Sequence, residues 1–160
     1  MGLSIYEGTV ENRRISREII EHPEASAMLA FDDNNMVLLV NQYRFPRGRV
    51  LEIPAGVMED GETPLECAHR ELREETGYTA KSMDPLISYY PSIGYNTEKI
   101  HCFLATGLQE AGGTLLDEDE ILSLERHTMK DVLDMIKDGR IQDSKTICAV
   151  LTYTQLYTGR

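Results

Sequence analysis

Residues 56–78 read GVMEDGETPLECAHRELREETGY, and this stretch decides the local architecture. Gly56 is followed six positions later by Glu62, and seven further residues separate Glu62 from the run RELREETGY that begins at Arg70. A polar loop gives way to helical periodicity near residue 63, and Gly77 interrupts that periodicity. The spacing therefore predicts a loop, a helix over residues 63–76 and a second loop.

The ends of this helix carry the expected capping residues. Thr63 can serve as the N-cap, Pro64 occupies the first helical position, and Glu66 completes a capping box with Thr63. Gly77 is suited to stop the helix, because glycine adopts the left-handed conformation without strain.

Three carboxylates are expected on one exposed face of this helix. Glu71 and Glu75 are four residues apart with Glu74 beside them, whereas Leu65 and Leu72 are expected to mark the buried face. Like charges at this spacing repel by roughly a few tenths of a kcal/mol per pair. A Mg²⁺ ion prefers oxygen ligands and commonly binds a few carboxylates together with substrate phosphates. The spacing indicates a divalent metal site, although a solvated acidic face is the commoner use of such a run.

The complete register resembles the Nudix box, G-x5-E-x7-R-E-U-x-E-E-x-G-U, where U is a bulky apolar residue. Every fixed position matches, and Tyr78 is an aromatic variant of the last one. The resemblance implies hydrolysis of a nucleoside diphosphate linked to another group, with Mg²⁺, or Mn²⁺ in its place, as cofactor. It implies metal ligation by Ala55 (through its carbonyl), Glu71, Glu74 and Glu75, catalytic roles for Arg70 and Glu74, a backbone turn at Gly56, and a structural role for Glu62.

The segments around the box resemble the ADP-ribose pyrophosphatase branch of the family. They are NQYRFP at residues 41–46, LEIPAG at 51–56, YPSIGYNTEKI at 90–100 and DSKT at 143–146. This branch implies cleavage of ADP-ribose to AMP and ribose 5-phosphate, with Arg44, Glu52 and Glu98 as substrate-binding residues. Other Nudix enzymes share several of these motifs, so a pyrophosphatase for another nucleoside diphosphate sugar, such as GDP-mannose, stays open.

The same branch implies a general base on a loop after the box, in an acidic stretch. Residues 117–120 read DEDE. Glu120 aligns best because it directly precedes the apolar Ile121, and Glu118 is the alternative. A solvated acidic turn is the competing interpretation of this stretch.

Composition restricts the classes of protein that the chain can represent. Its 160 residues suit one domain, and the net charge of -11 argues against a nucleic-acid-binding surface. No segment approaches the ~20 apolar residues of a membrane span, and the N-terminus has no secretory signal pattern. We therefore expect a cytoplasmic protein whose partner is a small nucleotide sugar, with no nucleic-acid or membrane partner. Cys67, Cys102 and Cys148 are expected to be buried free thiols.

The remaining pattern predicts an α+β domain over residues 1–160. Strands are predicted at 26–31, 36–42, 50–53, 86–90, 99–106 and 121–124, with the first two forming a hairpin about the turn 32–35. Further helices are predicted from Thr128 to Gly139 and from 144 to 157. The family resemblance implies an α/β/α sandwich with a mixed β-sheet and a catalytic loop-helix-loop.

Residues 1–24 are predicted to be a short N-terminal β segment at a dimer interface. The resembled branch commonly has a longer β portion that is exchanged across a dimer and helps to hold the adenine, so we expect a homodimer. Tyr6, Arg13 and Arg17 are candidates for ligand contacts or for packing. The competing function is a catalytically silent sensing module, which the intact box disfavours.

Overall fold

The computed structural model describes residues 1–113 and 122–158. In chain order, its elements are β1 (Gly2–Val10), β2 (Arg13–Glu21), β3 (Ala25–Ala30), β4 (Val37–Arg44), β5 (Gly48–Glu52), β6 (Ala55–Val57), α1 (Pro64–Thr76), β7 (Tyr78–Tyr89), β8 (Ile100–Glu110), β9 (Leu122–His127), α2 (Met129–Lys137) and α3 (Ser144–Tyr153), which continues into a π-helical turn at Thr154–Thr158.

The strands form a hairpin and two larger sheets. A mixed sheet has the order β6-β3-β8-β7, in which β3 runs parallel to β8 and antiparallel to β6. An antiparallel sheet has the order β5-β4-β9. The remaining strands, β1 and β2, pair only with each other in the named sheets.

Helices cover both faces of the mixed sheet. On one face, Met28 of β3 packs in a cluster with Leu72 of α1. On the other face, Leu29 packs in a cluster with Val132 of α2 and Val150 of α3. Successive β3 side chains point to opposite faces, so one fully buried strand serves both clusters. This arrangement is the α/β/α sandwich that the sequence predicts.

The predicted hairpin between residues 26–31 and 36–42 is wrong. Both strands form, but β3 and β4 belong to different sheets and are joined only by an isolated bridge between Phe31 and Val37. All six residues of β3 and the first four of β4 are buried. Strands buried on both faces are typical of the interior of a sheet, and accordingly β3 lies between β6 and β8, and β4 lies between β5 and β9.

Element boundaries differ from prediction mainly around β7. This strand begins at Tyr78, directly after α1, because β8 extends to Glu110 and pairs with it from that point. The three-residue strand β6 was not predicted. The third helix begins with Asp143 as its N-cap and becomes π-helical at Thr154.

The β1-β2 hairpin extends from the rest of the domain. Leu3, Ile5 and Val10 are more than half exposed. The hairpin is attached at its end, where Ile20 N–H donates to the Tyr95 carbonyl at 2.7 Å.

Two of the three thiols are buried as predicted, and Cys148 is half-buried. Burial raises the pKa of Cys67 to about 11 and that of Cys102 to about 12, so both thiols stay protonated at neutral pH. In the described residues, no helix has the length and apolarity to span a membrane.

Candidate active site

The termini of α1 form as the sequence predicts. Thr63 Oγ1 accepts from the Glu66 N–H at 3.3 Å, and the Glu66 carboxylate accepts from the Thr63 N–H at 2.9 Å. Gly77 has a φ of 74° and donates to the Arg73 carbonyl. The capped helix thus holds the box glutamates in a fixed position.

The buried face of α1 differs from the prediction. Leu72 is fully buried, but Leu65 is 44% exposed. Glu71 and Glu75, which were expected on an exposed face, are 9% and 1% exposed. The reason is that β6 packs along this side of the helix and covers the carboxylates.

Arg70 connects the carboxylates of the box. Its Nη1 donates to Glu71 at 2.6 Å and to Glu74 at 3.0 Å, while Nε and Nη2 each donate to one oxygen of Glu62 at 2.9 Å. Nη2 also donates to the Val57 carbonyl at 3.0 Å. The hydrogen bonds to Glu62 outweigh partial burial and, with Glu71, raise the pKa of Arg70 above its ordinary value. A permanently charged guanidinium therefore fixes the orientation of three box glutamates.

Glu75 and Glu71 both lie against the backbone of β6. The Glu75 carboxylate accepts from the Ala55 N–H at 2.8 Å. A Cβ added to Gly56 would lie 1.8 Å from Glu71 Oε1, and the φ of Gly56 is outside the left-handed region. Gly56 lies within β6 and not in a turn, but the expectation that a side chain would be obstructed at this position is confirmed. Glycine is required because the Glu71 carboxylate occupies the space of a side chain.

The donor set at this position fits a divalent cation. Glu71, Glu74 and Glu75 supply hard carboxylate oxygens from one stretch of helix, and the missing side chain of Gly56 leaves room for them beside the chain at Ala55. Within residues 1–113 and 122–158, no three acidic, histidine or cysteine side chains are already arranged as a metal cage. Arg70 and the Ala55 N–H hold these carboxylates instead.

A cavity of about 1040 Å³ opens beside these residues. Its basic lining residues are Arg44, Arg47, Arg49, Arg70, Arg140 and Lys145, and its acidic ones are Glu52, Glu59, Glu71, Glu98 and Asp143. The lining is thus nearly balanced in charge, although the chain as a whole carries -11. Basic side chains gathered in one concave site favour an anionic ligand.

The predicted substrate-binding residues all line this cavity. Arg44 Nε donates to Glu52 Oε1 at 2.9 Å, and the other oxygen of Glu52 accepts from Lys145. Glu98 lies next to His22, with 3.7 Å between Glu98 Oε1 and His22 Nδ1. The structure therefore brings the box and the flanking motifs to one site.

Gln42 lines the same cavity and is 6% exposed. Its Oε1 has no hydrogen-bond partner among the described residues. A buried amide without a partner is costly, so this atom is suited to a ligand donor.

The predicted general bases Glu118 and Glu120 lie outside the described residues. Leu122 is the first described residue after them, and it pairs with Gln42 in the antiparallel sheet.

A model of the NUDIX domain matches residues 21–150 of this chain. The chain belongs to the Nudix family. The predicted Nudix resemblance is confirmed, and the relatives below include proteins of the predicted branch.

Three Nudix-family relatives each align with 88% of this chain. A protein of Bacillus methanolicus named methanol dehydrogenase activator is 46% identical over 76% of its length. An ADP-ribose pyrophosphatase of Bacillus subtilis is 42% identical over 76% of its length. A GDP-mannose pyrophosphatase of Yersinia enterocolitica is 36% identical over 78% of its length.

A solved structure confirms the Nudix fold. A crystal structure described as an ADP compounds hydrolase superimposes with a TM-score of 0.81, covering 99% of this chain and 96% of that chain. The sequence identity is 21%, so this likeness concerns the fold.

Sequence reasoning missed several residues of the Nudix cavity. Lys145 and Gln42 were inside quoted motifs, DSKT and NQYRFP, so the signal was present but no role was assigned. No motif marked three further residues of the cavity, Arg47, Arg140 and His22. Arg47 directly follows the NQYRFP motif, whereas Arg140 and His22 come from segments that are distant in sequence from the box.

Proposed function

We propose that this Nudix protein hydrolyses the pyrophosphate bond of ADP-ribose, giving AMP and ribose 5-phosphate, with Mg²⁺ or in its place Mn²⁺. One observation carries the proposal. The box residues Gly56, Arg70 and Glu71 line the same cavity as Arg44 and Lys145, so the proposed metal ligand Glu71 and basic side chains share one concave site. A bound pyrophosphate needs both, and the 42% identical relative named ADP-ribose pyrophosphatase supports the choice of sugar nucleotide.

The proposed metal ligands are the carboxylates of Glu71, Glu74 and Glu75 and the carbonyl of Ala55. When bound, the ion would lower the pKa of a water molecule and shield the charge of the phosphoryl oxygens. Arg70 would keep the glutamates oriented, because its hydrogen bonds to Glu71 and Glu74 fix their side-chain directions.

The proposed substrate contacts come from other residues that line the cavity. The Arg44 guanidinium would bind a phosphate oxygen, for which its planar, permanently charged group is suited. The unpartnered Gln42 Oε1 would accept a hydrogen bond from a ribose hydroxyl or a base amino group. Glu98 would bind another hydroxyl, and Glu52 would act by holding Arg44. The cavity volume of about 1040 Å³ is at the upper end of common ligand sites, about 300–1,000 Å³, which suits a dinucleotide-sized ligand.

The proposed general base is Glu120, with Glu118 as the alternative. Support comes from chain connectivity: Leu122, two residues after Glu120, pairs with Gln42 of the cavity wall. A carboxylate so close along the chain could take a proton from the attacking water.

A homodimer and a cytoplasmic location complete the proposal. The β1-β2 hairpin supports dimerisation, since its exposed apolar side chains suit a second copy and, among the described residues, its two strands pair with no other named strand. Light scattering of the full chain, compared with a chain that begins at Glu21, would test this. Loss of a dimer on truncation is expected, and a monomer for the full chain would contradict it.

GDP-mannose is the second candidate substrate, because a relative named GDP-mannose pyrophosphatase is 36% identical. The deciding experiment is product analysis after incubation with Mg²⁺ and, separately, ADP-ribose, GDP-mannose, ADP-glucose and nucleoside triphosphates. Glu75→Gln is the inactive control, and Lys137→Met, at an exposed position of α2 outside the cavity lining, is the active one. Preferential formation of AMP and ribose 5-phosphate is expected. Preferential cleavage of GDP-mannose would identify GDP-mannose, in place of ADP-ribose, as the substrate. If no compound is cleaved with any divalent metal, a silent sensing module is favoured.

A further inference from the structure

The first turn of α3 holds a buried lysine between two carboxylates. Asp143 caps the helix, accepting from the Thr146 N–H at 2.9 Å and from Thr146 Oγ1 at 2.6 Å. The other Asp143 oxygen accepts from Lys145 Nζ at 3.1 Å. The cap residue therefore also fixes the direction of the Lys145 side chain.

Lys145 continues this network to the cavity wall. Its Nζ donates to Glu52 Oε2, and Glu52 Oε1 accepts from Arg44 Nε. The side chain in the middle of this path, Glu52, is 3% exposed, whereas Lys145 is 12% exposed and Arg44 is 48% exposed. A charged network thus runs from the interior to a guanidinium at the cavity.

The charges along this path are mutually required. Burial acts to lower the pKa of Lys145, but the Asp143 and Glu52 carboxylates outweigh it and hold that pKa above its ordinary value, so Lys145 stays charged. A buried Glu52 without a cation would be strongly unfavourable, because a buried charge needs a partner. Lys145 therefore holds the Glu52 carboxylate in place beside Arg44.

The hydrogen bond between Arg44 Nε and Glu52 leaves the two terminal amino groups of Arg44 available to a ligand. Glu52 uses the Nε of Arg44, and among the described residues the two terminal amino groups of Arg44 make no hydrogen bond. Those two groups form the fork that binds phosphate oxygens in pairs. Fixing Nε leaves this fork pre-oriented, which reduces the entropy lost on binding.

We propose that Lys145 is a positioning residue for the pyrophosphate: it holds Glu52 and, through Glu52, directs the Arg44 fork into the cavity. This inference rests on the proposed function, in which Arg44 binds phosphate. In this inference Lys145 acts through Arg44, because Glu52 and Asp143 already take two of the three N–H donors of its ammonium group.

A purely structural role is separable from this one. Attachment of α3 to the strand end at residue 53 is provided by Thr146 Oγ1, which accepts from the Ile53 N–H at 2.9 Å. That bond does not involve the Lys145 side chain. The Lys145–Glu52 bond also connects α3 to β5, but the connection through Thr146 remains when the Lys145 side chain is removed.

The test is a double-mutant cycle on binding. The Kd of ADP-ribose is measured by calorimetry without added divalent metal, so no turnover occurs, for the wild type, Lys145→Met, Arg44→Ala and the double variant. We expect Lys145→Met to raise Kd about tenfold, as supporting residues around a site commonly do. In the Arg44→Ala background, the same change should raise Kd less than twofold. Lys137→Met, at an exposed position of α2, is the matched control and should leave Kd unchanged.

The outcomes separate this inference from the proposed function. Equal effects of Lys145→Met in both backgrounds, or no effect in either, would overturn the positioning role. A wild type that binds no ADP-ribose would overturn the proposed function and this inference with it. If Lys145→Met does not fold, Lys145→Arg and the charge-balanced Glu52→Gln/Lys145→Met variant replace it. The first should bind within threefold of the wild type and the second at least tenfold more weakly, and the reverse order would refute the role.

Discussion

Gly56→Ala provides a direct test of how β6 and α1 build the site. The added Cβ would lie 1.8 Å from Glu71 Oε1 and 1.9 Å from its Cδ. Carbon atoms in contact are separated by about 3.5 Å, so the carboxylate must move by roughly 1.6 Å. Alanine can adopt the backbone conformation of Gly56, so any effect comes from this displacement.

The displacement is expected to reduce activity far more than stability. Moving Glu71 breaks its 2.6 Å hydrogen bond with Arg70, and a charge-assisted bond contributes about 1.5–3 kcal/mol. Arg70 keeps its bonds to Glu62 and Glu74, so we expect a net loss of about 1–2 kcal/mol, or about 2–8 °C in Tm. A misplacement of more than ~1 Å at a catalytic group costs about 100-fold in rate. We therefore expect kcat/KM for ADP-ribose to fall at least 100-fold.

The assay measures kcat/KM with saturating Mg²⁺ and Tm by thermal melting. Lys137→Met, at an exposed position of α2 outside the cavity lining, is the control and should change neither quantity. A Gly56→Ala protein that melts near the wild-type temperature and retains more than a tenth of the wild-type rate would refute the reasoning. Such a result would mean that the position of Glu71 against β6 is unimportant for the reaction.

Three further predictions follow from the same contacts. Glu75→Gln should reduce turnover at least ~100-fold, because it removes a proposed metal ligand. The metal-free Tm should stay within a few degrees, because the amide oxygen can still accept from the Ala55 N–H and the substitution leaves no buried charge at position 75. A normal rate in folded protein would exclude Glu75 as a ligand. Adding Mg²⁺ at ~100 times its Kd should stabilise the wild type by about 2.7 kcal/mol but not Glu75→Gln, as thermal melts would show, and an equal rise in both would contradict the site. The hydrogen bonds from Arg70 lower the pKa of Glu62 below its ordinary 4.5, so the stability that Glu62 contributes is present above pH 4.5 and is lost as pH falls through the lower folded-state value. The difference in unfolding free energy between wild type and Glu62→Gln should therefore be largest near neutral pH and shrink in acid, and a constant difference would disprove this role.

Local sequence predicted the catalytic helix well, because its determinants are local. Thr63, Glu66 and Gly77 cap α1 through contacts within four residues, and such contacts are readable from spacing alone. The pairing of β3 with β8 was not readable, since about 75 residues separate partners such as Ala25 and Ile100. A short polar turn suggested a hairpin, but the buried residues of β3 and of the first half of β4 pair in two different sheets.

The same distinction explains the candidate site. The identities of the box residues indicated oxygen ligands for a metal, but the near-complete burial of Glu75 depends on β6, which packs against the helix from outside the periodic segment. A carboxylate that looks solvent-exposed on a helical wheel thus becomes a buried acceptor of a backbone N–H. Periodicity predicts which side chains share a face, and only tertiary packing decides whether water reaches that face.

Arg70 and Lys145 take part in similar arrangements at the cavity. Arg70 neutralises and directs the box glutamates, whereas Lys145 and Glu52 neutralise each other and direct Arg44. In each case a largely buried pair of opposite charges fixes the orientation of a side chain proposed to bind the metal or the substrate. Because removing one member leaves the other buried and unpaired, substitutions of single charges should disturb both affinity and stability, whereas charge-balanced pairs such as Glu52→Gln/Lys145→Met should separate the two effects. The unfolding free energy of that pair variant should therefore stay closer to the wild-type value than that of Lys145→Met, while both bind ADP-ribose weakly.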